Sequence, residues 1–144
     1  MAKPHFVLVH GAWHSPQHWD PLVKVLQQAG YSTSTAKLPS VGTTPPPEVL
    51  KADIAAIKQV IVDAIAQGAA SIVPIVHSYG GVPSFEALAT LSADEKERIA
   101  RVICVSAFVI PKGTSLASEQ EADKRLPAEV DVSAHSLLHQ KTRN

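Results

Sequence analysis

The sequence predicts an α/β fold: about four parallel strands, in the order second, first, third, fourth, with helices on both faces and an irregular C-terminal tail. Two observations predict it. Short, nearly continuous apolar runs alternate with longer stretches whose apolar residues recur at helical spacing. Glycine, proline and serine punctuate the joints between them, so each run ends where a strand or helix should end.

His5 to His10 reads as a buried strand ended by Gly11. Gln17 to Ala29 sets Trp19, Leu22, Val23, Val25 and Leu26 at helical spacing, and Gly30 stops it. Ser32 to Leu38 is a threonine-rich second strand that runs into the turn Pro39-Ser40-Val41-Gly42. Pro45-Pro46-Pro47 holds the backbone extended and opens a helix over Glu48 to Gln67. Leu50, Ile54, Ile57, Ile61 and Ile65 stripe one face of that helix, which leaves Asp53, Lys58 and Asp63 on others; Gly68 is its C-cap. Ser71 to Val76 is the third strand, followed at once by a helix from Ser78 to Leu91. Ser92-Ala93-Asp94-Glu95 has the spacing of a capping box, for a short helix ending near Ala100. Arg101 to Ala107 is the fourth strand.

On this reading residues 1–116 form one domain and 117–144 a polar tail, partly helical from Ser118 to Leu126 or disordered. The tail is rich in charge and has no strand-like run, so no further strand–helix unit can be read there. A chain of 144 residues is long enough to bury a single core. Thirteen basic and thirteen acidic side chains cancel, leaving nothing to draw the protein to nucleic acid or an anionic membrane. The run Phe6-Val7-Leu8-Val9 is too short for a membrane span or a signal-peptide core. The single Cys104 lies within Val102-Ile103-Cys104-Val105 and reads as a packed core residue rather than a reactive thiol. One cysteine makes no internal disulfide, and a reducing, cytoplasmic compartment is expected. The outer edge of the fourth strand is expected to lack a partner, which is an aggregation hazard and also a surface through which a homo-oligomer can form.

Chemistry concentrates at two strand ends. Val76-His77-Ser78-Tyr79-Gly80-Gly81 stands where a strand meets a helix, the setting of a nucleophile elbow, whose tight turn needs small residues beside the serine. Gly80 and Gly81 supply them; Val76 departs from the usual leading glycine. His10-Gly11-Ala12-Trp13 directly follows the first strand. With the strand order above, chain direction reverses between these two ends, so the Gly11 loop faces Ser78 across the crevice where such sheets bind ligands. The backbone N–H groups of Ala12 and Tyr79 then converge on one developing oxyanion, and each such donor contributes about 3–4 kcal/mol to acyl transfer.

Each candidate has a plainer alternative. Ser78 can be a helix N-cap, a position serine favours. Trp13 lies in the loop beside the amides and is a candidate for the substrate pocket with Gly11; Trp19 reads as an aromatic covering the first helix. His10 is expected to orient its own loop by hydrogen bonding, and His77 to point away from Ser78. His10, His14 and His18 are four apart, yet Gly11 and Pro16 prevent one continuous helix, so no metal site is expected. His135 and His139 follow Asp123 and Asp131, the chain order of a serine triad, but no strand is there to position them.

The segments Phe6 to Trp13, Trp19, Leu38-Pro39-Ser40-Val41-Gly42 and His77-Ser78-Tyr79-Gly80-Gly81 resemble the small α/β-hydrolases, above all the esterase and hydroxynitrile-lyase-like branch and related fungal hydrolases. The resemblance covers Pro4 to Leu116. It implies Ser78 as nucleophile, the Ala12 and Tyr79 amides as oxyanion hole, a small ester or related carbonyl compound as substrate, and no cofactor. Members of that family are longer, and carry the acid and the histidine on strands beyond this point, in the order Ser, Asp or Glu, His. Three readings follow: an esterase-like serine hydrolase, a binding module that keeps the pocket without the base, or a truncated gene product.

Overall fold

The computed structural model describes residues 3–42, 44–111, 113–116 and 118. Its strands are β1 (His5–Val9), β2 (Ser32–Ala36), β3 (Ile72–His77) and β4 (Ile103–Val105). They form one parallel sheet in the expected order, β2-β1-β3-β4. The helices are α1 (Asp20–Gln28), α2 (Val49–Ala66), α3 (Gly81–Ala89) and α4 (Ala93–Glu97). The register sets Val9 beside Ala36 on one side and Val76 on the other. His10-Gly11 therefore leaves the sheet level with His77-Ser78.

Alternation along the strands decides what is buried. Val7 and Val9 of β1, with Ile72 and Val76 of β3, meet Ile57, Ile61 and Ala64 of α2 and Ala87 of α3 in one core. Each aliphatic side chain of this size contributes about 1.5–3 kcal/mol when fully withdrawn from water. Leu8, Val73 and Ile75 point to the opposite face and are buried as well. Pro74 is tolerated in a central strand because of where its missing N–H falls. Ile72 turns its backbone toward the β4 side, donating to the Arg98 carbonyl and accepting from Ala100, and Pro74 shares that side by alternation. The ladder to β4 resumes only at Ile75, opposite Ile103.

Several element boundaries differ from expectation. The helix predicted over 17–29 is a 3₁₀ turn at Pro16–Trp19 followed by α1, because Pro21 has no N–H to bond back into the preceding turn. Val25 lies 60% exposed rather than facing the core. The helix predicted from Ser78 begins with a 3₁₀ turn, Ser78–Gly80, before α3. The fourth strand is three residues rather than seven; among the described residues β4 pairs only with β3, and Ile103 and Val105 are left about 40% exposed. The capping box of α4 forms as expected, with the Glu95 N–H donating to Ser92 Oγ and the Ser92 N–H to Glu95 Oε2. Cys104 is half-buried against the core, and burial pushes its thiol above the usual range.

The largest correction concerns α2. Its buried residues are Asp53, Ile57, Ile61 and Ala64, while Leu50 is exposed. The inward stripe keeps the predicted Ile57 and Ile61 but takes in Asp53 and Ala64, while Ile54 and Ile65 pack against its edge only partly buried. Among the described residues no helix is long and apolar enough to cross a membrane. The tail helix expected from Ser118 to Leu126 and the Asp123, Asp131, His135 and His139 set lie outside the described residues, Ser118 apart.

Candidate active site

Ser78 occupies the left-handed region, with φ 52°, directly after β3. A non-glycine residue there costs about 1–2 kcal/mol, so its surroundings must hold it. The Phe108 N–H donates to the Ser78 carbonyl at 3.0 Å. The turn also closes tightly against its neighbours. A Cβ on Gly80 would stand 2.5 Å from the His10 carbonyl oxygen, and one on Gly81 would run into the Phe108 carbonyl. Val76, at the motif's usual leading glycine, points into the core, where a valine packs well.

The Gly11 loop meets this turn. A Cβ on Gly11 would lie 2.9 Å from the Ser78 Cβ and 3.0 Å from His77 Nδ1, so only a glycine passes here without displacement. Among the described residues the Ala12 N–H donates to no other group. Tyr79 belongs to the first turn after the strand, where backbone N–H groups lack partners within the helix. The structure thus brings Gly11 against Ser78, with Ala12 and Tyr79 next to them in the chain. Trp13 is different: its φ is 59° and its side chain is 93% exposed. A cavity of about 270 Å³ beside the loop is lined by His10, His14, Pro16, Lys37, Leu38 and Val41 among others, and Trp13 is not among its walls.

His10 does orient its loop. A carbonyl oxygen only accepts, so the contact of His10 Nδ1 with the Gly11 carbonyl at 2.9 Å places the proton on Nδ1. Nε2 is then free to accept from the Leu38 N–H at 3.2 Å. The bond from Leu38 holds only for neutral imidazole, and burial lowers the pKa of His10 in the same direction. His77 packs its ring edge-on against His14 at 5.4 Å and Trp19 at 6.4 Å. Burial, then the nearby His14 and His10, lower its pKa too. Trp19 therefore stands closer to the site than expected, with its indole N–H buried and unpartnered among the described residues. His10, His14 and His18 share no helix: the first follows β1, the second lies in the loop, and the third is in the 3₁₀ turn.

One member of this neighbourhood was not predicted. Asp53 is wholly buried, and its Oδ1 accepts from the Ser40 N–H while its Oδ2 accepts from the Tyr79 hydroxyl, both at 2.9 Å. Burial and this bond push the Tyr79 pKa up to about 12. An acidic residue one turn before Ile57 on an apolar helix face was the available signal, though periodicity alone gave it no partner.

The sequence profile of the alpha/beta hydrolase family matches residues 6–141. The alpha/beta hydrolase nvfD of Aspergillus novofumigatus is 30% identical over 136 residues, covering 92% of this chain and 53% of that protein. Among solved structures, a polyneuridine aldehyde esterase mutant aligns with a TM-score of 0.67 at 25% identity, over 87% of this chain and 49% of that one. An extracellular alpha/beta-hydrolase from a Paenibacillus species aligns with a TM-score of 0.59 at 27% identity, over 88% and 48%. The chain spans about half the length of these relatives. With the profile matched over most of its length and the sheet in the order found, the chain belongs to the alpha/beta hydrolase family.

Proposed function

We propose that this chain provides the nucleophile half of an esterase-like serine hydrolase acting on a small ester or related carbonyl compound, without a cofactor. The observation that supports it most is the left-handed backbone of Ser78 at a strand-to-helix junction, facing Gly11. A strained serine is kept where its hydroxyl has work to do. In this reading Ser78 Oγ attacks the carbonyl carbon, and the oxygen that becomes negative is met by the Ala12 and Tyr79 N–H groups. Gly11 leaves room for the substrate, and Trp13 contacts its exposed end. Likeness to an esterase structure supports the reaction class.

The proton of Ser78 must pass to a base. Among the described residues no histidine or carboxylate hydrogen-bonds to Ser78 Oγ, and the His10 nitrogens are both engaged. In this reading the base and its acid are supplied from outside the described residues. That same observation favours a second reading, in which the chain binds a small carbonyl compound without turning it over.

A fluorophosphonate probe separates the two. Labelling of the wild type and none of Ser78→Ala is the expected result. Equal absence of labelling in both proteins, with saturable binding of an ester analogue, would replace catalysis with binding.

A further inference from the structure

We infer that Asp53 is a positioning residue of this site: it ties the turn that bears Ser78 and Tyr79 to the segment Leu38-Pro39-Ser40, which also anchors the Gly11 loop. The inference rests on the proposed oxyanion hole and adds to it the element that sets its width.

The Gly11 carbonyl accepts from His10 Nδ1, and His10 Nε2 accepts from the Leu38 N–H. Two residues further on, the Ser40 N–H donates to Asp53 Oδ1, and Asp53 Oδ2 accepts from the Tyr79 hydroxyl. Both loops whose amides are proposed to meet the oxyanion are thus fastened to one short stretch of backbone. That stretch is itself stiff: Pro39 restricts its φ, and the Val41 N–H closes a turn onto the Leu38 carbonyl at 3.1 Å. Two amides serve one oxyanion only if both lie at about 2.7–3.1 Å from it, so their separation must be held within a few tenths of an ångström. A carboxylate with no exposure is costly to keep in a core. Here each oxygen has a donor, and neither donor belongs to α2 itself. The two donors come from the β2–α2 connection and from the Ser78 turn, which is the pattern of a clamp between elements rather than of a helix satisfying its own surface.

The test uses the whole chain and the variants Asp53→Asn, Tyr79→Phe and the pair, with Asp63→Asn on the exposed side of α2 as control. Asparagine offers N–H groups where Asp53 offers an acceptor, and phenylalanine keeps the ring of Tyr79 without its hydroxyl. Three readouts are taken: cooperative thermal melting, the rate of Ser78 labelling by a fluorophosphonate, and the ¹H–¹⁵N resonances of the Ala12, Tyr79 and Gly80 amides. The expected result is that each single variant melts cooperatively but labels about tenfold more slowly or worse. The double variant is no slower than the worse single one, as two ends of one link should be. Asp53→Asn moves the Tyr79 and Gly80 resonances, and Asp63→Asn leaves rate and resonances unchanged. Folded variants with unmoved amides and wild-type labelling overturn the inference, as does an additive double variant. If wild type and Ser78→Ala are equally unlabelled, the nucleophile reading fails by itself; the resonances then decide whether Asp53 holds the turn. If Asp53→Asn does not fold, Tyr79→Phe alone carries the comparison through its labelling rate and the Ser40 amide resonance.

Discussion

Gly11 and Ser78 approach so closely that a Cβ on the glycine would stand 2.9 Å from the serine's own Cβ. Gly11→Ala must therefore push the loop and the turn apart. Overpacking of this kind costs about 1–3 kcal/mol, and it widens the gap that the Ala12 and Tyr79 amides are proposed to span. Urea unfolding should show the loss of stability, and Ser78 labelling should slow about tenfold or more. A variant with unchanged stability and rate would mean that the two loops are not in contact.

The backbone of Ser78 supplies a second expectation. At φ 52° a glycine is relaxed where alanine is strained. Ser78→Gly should be more stable than Ser78→Ala by about 1 kcal/mol, although both lack the hydroxyl. The ordering of the two urea midpoints checks this. The reverse order would place Ser78 in an ordinary backbone conformation and remove the main support for the elbow.

Stability should fall in mild acid. The folded-state pKa of His10 lies below the ordinary 6.5, first because of burial. The unfolded chain then binds the proton more readily, so the contribution is complete above 6.5 and is lost as pH falls through the lower folded value. Protonation also removes the acceptor that the Leu38 N–H requires. His5 and His77 are shifted in the same direction. Urea midpoints should drop between about pH 8 and pH 5.5, and drop less in His10→Gln. Parallel pH profiles for the two proteins would show that His10 is not the group responsible.

Trp13 presents the opposite balance. Its side chain is 93% exposed and its φ is 59°. Trp13→Ala should change stability by less than about 0.5 kcal/mol, as surface substitutions do, and Trp13→Gly should gain about 1 kcal/mol from released strain. If Trp13 contacts the substrate, both variants weaken binding of an ester analogue while leaving the melt intact. A loss of stability equal to the loss of binding would make Trp13 a structural residue.

Much of this protein was legible in its residues alone. Apolar period distinguished strand from helix, glycine and proline marked the joints, and the turns at Gly11 and Ser78 could be placed on adjacent strand ends. These are short-range properties: a few consecutive residues settle each one, and the parallel crossover rule then restricts the order of the strands. The capping box of α4 was legible for the same reason, since both of its bonds span three residues.

Tertiary contacts decided the rest. A strand lasts only as long as its ladder, so β4 is three residues where seven were expected. Which residues of α2 face inward depends on what lies opposite: Ile57 and Ile61 are inside as the period placed them, but Leu50 is exposed and Asp53 buried. Asp53 is inside because the Tyr79 hydroxyl, 26 residues away, and the Ser40 N–H, 13 away, both point at it. The sequence by itself determined which residues turn, which cross the sheet and where the serine stands. Whether an acidic side chain could be buried against the Tyr79 hydroxyl was decided only when distant donors met it, because a polar group leaves water only where its hydrogen bonds are replaced.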